Sequence, residues 1–359
     1  MRLTTRLQAL MTTISASCAA TPEVSPPVDA VVRAARLLQL EPLIYASNQA
    51  GAPTPHVRAG SSVRLWRGQL VVTQDDVSAL AEVGEAYLSG IRPLTVRLLP
   101  PDASGASVHP PTKAGKAAKM DLEASVVLPD GRLVVFGSGA RPARERLVVL
   151  GGPSASEEMR IVDAHALYSS LAARRDFAGV GLNLEGVVAV GGRLRLFQRG
   201  NGAPVNGTDR FSATGDLDLA AFVAWLDGPA GTVAVPPLLA VAPVDLGHVS
   251  GVPWGFTDAV ALTDGRVAFL AGAEASADAV ADGALLGTRI GVLDDAGHLV
   301  LADILDKDGA PTRLKLEGIE LLAQASDGTC TFAVVADMDD PDVPTVLGTL
   351  AWNPGPASR

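Results

Sequence analysis

Residues 121–137 read DLEASVVLPDGRLVVFG, and residues 183–197 read NLEGVVAVGGRLRLF. Each is an acidic opening, an apolar strand, a turn built on glycine and a second apolar strand. The pattern returns as GFTDAVALTDGRVAFL at 255–270 and, with a longer turn, as KLEGIELLAQASDGTCTFAV at 315–334. A fainter copy, RAGSSVRLWRGQLVV, stands at 58–72. Glycine accepts the positive φ that lets a tight turn follow the twist of paired strands, so Asp-Gly and Gly-Gly between apolar runs specify hairpins. Aligned, the copies put Gly60, Glu123, Glu185, Thr257 and Glu317 at one position, separated by 63, 62, 72 and 60 residues.

Such spacing leaves room for four strands per copy. Further strands are predicted at Glu145 to Leu150 and Met159 to Val162, at Phe222 to Leu226 and Leu238 to Val244, at Thr288 to Leu293 and His298 to Ile304, and at Thr345 to Trp352. A four-stranded unit repeated around a ring is a propeller blade. The last unit is one strand short. The segment Val31 to Leu40 reads as a spare strand that would complete it and cover the open edges. The expected fold is therefore an all-β, five-bladed β-propeller over residues 31–352, closed by its N-terminal strand, with a tail at 353–359. Six blades is the alternative count, and a pair of β-sandwiches the competing architecture. Asp163 to Arg175 has the spacing of a short surface helix, and residues 102–118, 200–216 and 274–287 read as connections.

Composition agrees with short strands and tight turns: of 359 residues 37 are Gly and 25 Pro, and the apolar content is aliphatic, with 4% aromatics. The formal net charge is −10, without a basic cluster interleaved with aromatics, so nucleic acid is not an expected partner. No run of eighteen apolar residues is present to cross a membrane as a helix. The two cysteines, Cys18 and Cys330, cannot make a disulfide framework, and Cys330 reads as a small buried hydrophobe. Arg2 and Arg6, then a mildly apolar stretch ending at Cys18, have the order of a lipoprotein signal. Gln8, Thr12, Thr13, Ser15 and Ser17 interrupt that stretch. Residues 1–30 are read as the leader of a cytoplasmic protein, with an exported lipoprotein anchored at Cys18 as the alternative.

The repeated acid is where chemistry is expected. Glu123, Glu185 and Glu317 open the first strand of their hairpins, and the first strand of each blade lines the central channel. They should converge near one mouth, with Asp258 one residue past the equivalent position and Gly60 filling the fifth place without a side chain. Carboxylates so placed suit a hard cation such as Ca2+, or proton transfer to a small molecule. The metal set is Glu123, Glu185, Asp258 and Glu317, and the catalytic set Glu123, Glu185 and Glu317. Lys119, Arg199, Asn201, Glu274 and Lys315 are the candidate ligand-binding residues around them. The competing structural reading has the acids accept backbone N–H groups of a neighbouring blade. Asp130, Asp264 and Asp327 precede turn glycines and are turn residues; Asp339 to Asp342 lacks the ligand order of an EF-hand. No G-x-S-x-G elbow, P-loop or metal-spaced His pair occurs, and of the histidines His248 alone is kept as a candidate.

Taken as a set, Lys119 to Ala124, Leu128 to Leu133, Gly137 to Gly139, Leu182 to Gly186, Gln198 to Asn201, Phe256 to Ala259, Lys315 to Gly318 and Asp339 to Asp342 resemble the motif string of uncharacterised bacterial β-propeller proteins carrying a domain of unknown function. More distantly the chain is similar to phytase-like and lactonase-like propellers. That likeness implies metal-assisted hydrolysis of an ester, phosphoester or lactone over a calcium-lined channel. Fold analogy is a poor guide to reaction type, and a non-catalytic binding or assembly platform is the rival.

Overall fold

The computed structural model describes residues 34–46, 49, 51–84, 94–101, 105–152, 158–200, 202, 210–276 and 283–356. Strand β1 covers Ala35–Pro42. The first unit is β2 (Gly60–Trp66), β3 (Gln69–Gln74), β4 (Ala79–Gly84) and β5 (Leu94–Leu98). Helix α1 (Lys113–Ala118) precedes the second, made of β6 (Leu122–Val127), β7 (Leu133–Gly137), β8 (Arg146–Leu150) and β9 (Met159–Asp163). After helices α2 (His165–Ala173) and α3 (Arg175–Ala178) come β10 (Leu184–Val190), β11 (Arg193–Gln198), β12 (Ser212–Asp218), helix α4 (Leu219–Asp227) and β13 (Leu239–Val244). A small hairpin, β14 (His248–Val249) and β15 (Val252–Pro253), leads to the fourth unit: β16 (Gly255–Ala261), β17 (Val267–Ala275), β18 (Ala284–Leu293) and β19 (Leu299–Leu305). The chain ends on β20 (Lys315–Gln324), β21 (Cys330–Asp337) and β22 (Val346–Trp352).

Within each unit the strands pair antiparallel in chain order, and β1 supplies the fourth strand of the fifth unit. It runs antiparallel to β22, Arg36 opposite Ala351 and Pro42 opposite Val346. It also touches β19 in parallel over two residues, Ala35 and Arg36, joining units four and five into one eight-stranded sheet. The inner strands β2, β6, β10, β16 and β20 neighbour one another in a closed cycle. The ring thus closes through the N-terminal strand, as expected.

The apolar core is divided in the same way. Val71 and Leu80 pack with Leu133 and Val135 between units one and two, and Phe136 with Leu196 and Phe222 between two and three. Phe197, Phe256 and Phe269 meet edge to face at 5.0 Å between three and four. Ile290 packs with Phe332 between four and five, and Val72 with Val335 between five and one. Sheets packed face to face around a ring bury both faces, which is why the strands read as apolar runs rather than strict alternation. Units five and one approach closely at Gly318, where a Cβ would lie 2.5 Å from Val335 Cγ2 and 2.9 Å from the Ser62 backbone.

Two sequence expectations are corrected in the third unit. Phe222 to Leu226 belongs to helix α4, not to a strand, and the Asp218 carboxylate caps it by accepting the Ala221 N–H. The missing strand is β12, which begins inside the 200–216 segment that read as a connection and runs two residues past it. The helix expected at 163–175 is present as α2 and the start of α3, and the 102–118 connection contains α1. Cys330 is buried as expected. Val31 to Arg33 and the whole leader, Cys18 included, lie outside the described residues. No helix among the described residues is long and apolar enough to cross a membrane.

Candidate functional site at one end of the ring axis

Each inner strand breaks register with its hairpin partner at the same place. Ser61, Glu123, Glu185, Thr257 and Glu317 are skipped, while the residues on either side pair normally. A bulge inserts one unpaired residue and re-aims its side chain. The recurring acid is thus a bulge residue, which explains why it recurs. The alignment shifts by one in the first unit: Ser61, not Gly60, is the fifth member. Gly60 pairs with Gln74 and donates its N–H to Thr345 Oγ1.

At this end two ionic groups gather. In the first, Lys119 Nζ lies 2.5 Å from Asp75 and 2.9 Å from Asp121, linking unit one to unit two. Asp121 also accepts from Ser138 Oγ and Arg144. Oxygens of Asp75, Asp121 and Glu123 lie within 4.8 Å of one another. In the second group, Arg199 at the end of β11 lies 3.3 Å from Glu185, 3.0 Å from Glu274 and 4.0 Å from Glu317, tying unit three to units four and five. Asn183 donates to Glu185 at 2.6 Å. Lys315 reaches Glu317 at 3.2 Å, Asp337 at 3.5 Å and Asp339 at 2.7 Å.

The environment separates the acids electrostatically. Burial pushes Glu123 well above the usual carboxyl range, and the charges of Asp121, Glu185, Asp75 and Glu317 push the same way. Burial also lifts Glu185 and Glu317 to about 8, Arg199 and Lys315 pulling each back. Asp337 rises to about 7 through burial, against Lys315. Asp121 goes the other way: burial would raise it, but Lys119 and Arg144 hold it below its ordinary value. Carboxyls that keep a proton near neutrality therefore stand beside carboxylates that do not.

Seven of the sequence-chosen residues meet here: Lys119, Glu123, Glu185, Arg199, Glu274, Lys315 and Glu317. Asn201 lies outside the described residues, and His248 is exposed on the β14–β15 hairpin. Asp258 departs from the metal set. It is fully buried and bidentate to Arg64, 2.7 Å and 2.8 Å, and accepts N–H groups from Ala259 and Ile319. The fastening role foreseen for the repeated acids thus falls to their neighbour. Asp130, Asp264 and Asp327 accept N–H groups two residues on, as turn residues should.

The sequence puts Asp75, Asp337 and Arg144 among polar groups near the second-strand ends at this mouth, where exposed charge is ordinary, and so does not single them out; Asp121 and Arg64 it misses altogether. Arg64 sends donors to the carbonyls of Val63, Ser125, Ile319 and Ala259 besides Asp258, so one side chain bridges four of the five units across the axis. Its signal was available: a lone arginine three residues past the bulge, where β6, β10 and β16 carry Val126, Val188 and Val260.

Fold and site define a five-unit β-propeller with an ionic cluster at one end of its axis. The chain belongs to a family of unknown function, DUF6929, whose model matches residues 56–351. No curated protein matches it. Among solved structures it is similar to a glutaminyl cyclase of Myxococcus xanthus (11% identity, 89% of this chain and 98% of that chain covered, TM-score 0.44). It is also similar to a mannose phosphorylase of Leishmania mexicana (15%, 89% and 88%, 0.42) and an α-L-arabinanase of Penicillium chrysogenum (9%, 89% and 98%, 0.41). At these scores the likenesses carry no argument about reaction.

Proposed function

We propose that the Glu123–Glu185–Glu317 end of the axis is a hydrolytic site for a small polar molecule carrying an ester, phosphoester or lactone bond. The observation that carries this reading is the company these glutamates keep. Three carboxyls on equivalent bulges, held protonated towards neutrality by burial, stand with Lys119, Arg199 and Lys315 around one axis. The cations would hold the electron-rich oxygens of the substrate and the charge that builds on them during reaction. A neighbouring carboxylate would take a proton from the attacking water, and the Glu123 carboxyl would give one to the leaving oxygen.

A divalent cation such as Ca2+ is the second reading, favoured by the close approach of Asp75, Asp121 and Glu123. Lys119 already neutralises two of the three, so an ion would bind there by displacing its ammonium group. The rival to both is a platform that binds without turnover.

Turnover of p-nitrophenyl esters, p-nitrophenyl phosphate and simple lactones, with and without Ca2+, distinguishes these readings. For the hydrolase, Glu123→Gln is expected to lower kcat about 100-fold with little change in KM. For the cation site, Ca2+ should raise the melting temperature of the wild type and not that of Glu123→Gln. A wild type inert to the whole panel and indifferent to Ca2+ supports the platform.

A further inference from the structure

Beyond the Arg64–Asp258 bridge, at the end of the axis where the inner strands finish, all five of them line a cavity of 240 Å³. That volume corresponds to about eight water molecules of bulk liquid, room for a six-membered ring and a polar head. Val126, Val188 and Val260 hold equivalent places on three strands, and Leu321 lies on a fourth. The two remaining equivalent places are Arg64 and Glu320.

Arg64 has little left to offer a ligand, since its donors go to Asp258 and to four backbone carbonyls. Charge for charge it is cancelled by Asp258. Glu320 is different: among the described residues no cation forms an ion pair with it, and the Leu65 N–H is the donor beside it. Burial pushes this carboxyl up to about 7, against the opposing pull of Arg64. The cup therefore sets valine and leucine side chains beside backbone groups and one acid that no cation pairs among the described residues. Glu320 is half-buried, so water solvates its carboxylate only in part, and a bound cation would supply the rest of the compensation.

We propose that this cup is a binding site for a small organic cation, a primary ammonium on a compact apolar body, with the ammonium on Glu320 and the body against Val126, Val188, Val260 and Leu321. An anion would meet the carboxylate with no free donor to offset it. A neutral body of the same shape would bury Glu320 without a partner. The site is separate from the ionic cluster at the other end and does not depend on what that cluster does.

Benzylammonium, benzyl alcohol and benzoate, titrated calorimetrically into the full chain in weakly alkaline buffer, test the idea. Benzylammonium should bind at least about tenfold more tightly than either isostere. Glu320→Gln should remove that preference, while Glu185→Gln, at the opposite end, should leave it intact. Because a buried substitution can disturb folding, Ala189→Leu serves as a second variant: it narrows the cup, keeps Glu320 and should also abolish binding. The proposal is overturned if the wild type does not bind benzylammonium or binds the three compounds alike. It is equally overturned if both cup variants, shown by melting to be folded, bind as the wild type does, or if Glu185→Gln removes binding.

Discussion

Glu185 illustrates how burial at a bulge turns into a pH response. Its ordinary value of 4.5 is lifted to about 8, burial outweighing the pull of Arg199. The folded chain thus holds a proton that the unfolded chain releases from about pH 4.5 upward. Folding is favoured by this group below that value, and the contribution fades as pH rises through about 8. Glu317 behaves alike, while Asp121, held low, contributes in the opposite sense at acid pH. Urea unfolding should show stability declining between about pH 5 and pH 8, and Glu185→Gln should flatten that decline. An identical slope in the variant would show that Glu185 does not carry the titration. Asp258 stands at the other extreme, since removing it strands a buried guanidinium. Asp258→Ala is expected to destabilise by about 3–5 kcal/mol, and a paired Arg64→Met, Asp258→Leu chain to recover much of the loss, measured as a double-mutant cycle. Three repeated acids were legible because the bulge fixes their place in each copy. Asp258 was placed at the mouth because a single sequence does not tell a carboxylate aimed there from one aimed at an arginine three units away in the chain.

At the scale of elements, hairpins were readable wherever a glycine turn joined two apolar strands, and the third unit shows where such reading ends. SATGDLD, the sequence of β12, looks like a loop because its charges are internal: Asp216 lies 2.8 Å from Arg195 on the adjacent strand and 3.3 Å from Arg193. LAAFVAWLD, the sequence of α4, is apolar enough for a strand; its capping aspartate, Asp218, was the overlooked signal. Strand β1 gives the element-scale test. A chain starting at residue 29 keeps β1 and should melt cooperatively. A chain starting at residue 43 loses it, bares the edges of β22 and β19, and should aggregate on light scattering. A soluble, cooperatively melting product from the shorter chain would contradict this account of closure.

For the molecule as a whole, five apolar junctions in a cycle mean that no unit has a core of its own, so the ring should unfold in one transition. The same arrangement puts the beginning of the folded chain beside its end, since Arg36 stands opposite Ala351 at the close of β22. A short linker there would turn β22 and β1 into an ordinary hairpin, and the chain could be reopened between β5 and β6. Such a circular permutant keeps the strand pairings of β1 but converts its most distant one in sequence into a local one. Contact order falls and loop-closure entropy is relieved, so refolding should quicken while unfolding stays near the wild-type rate. The natural order of the chain makes its first folded strand wait for its last.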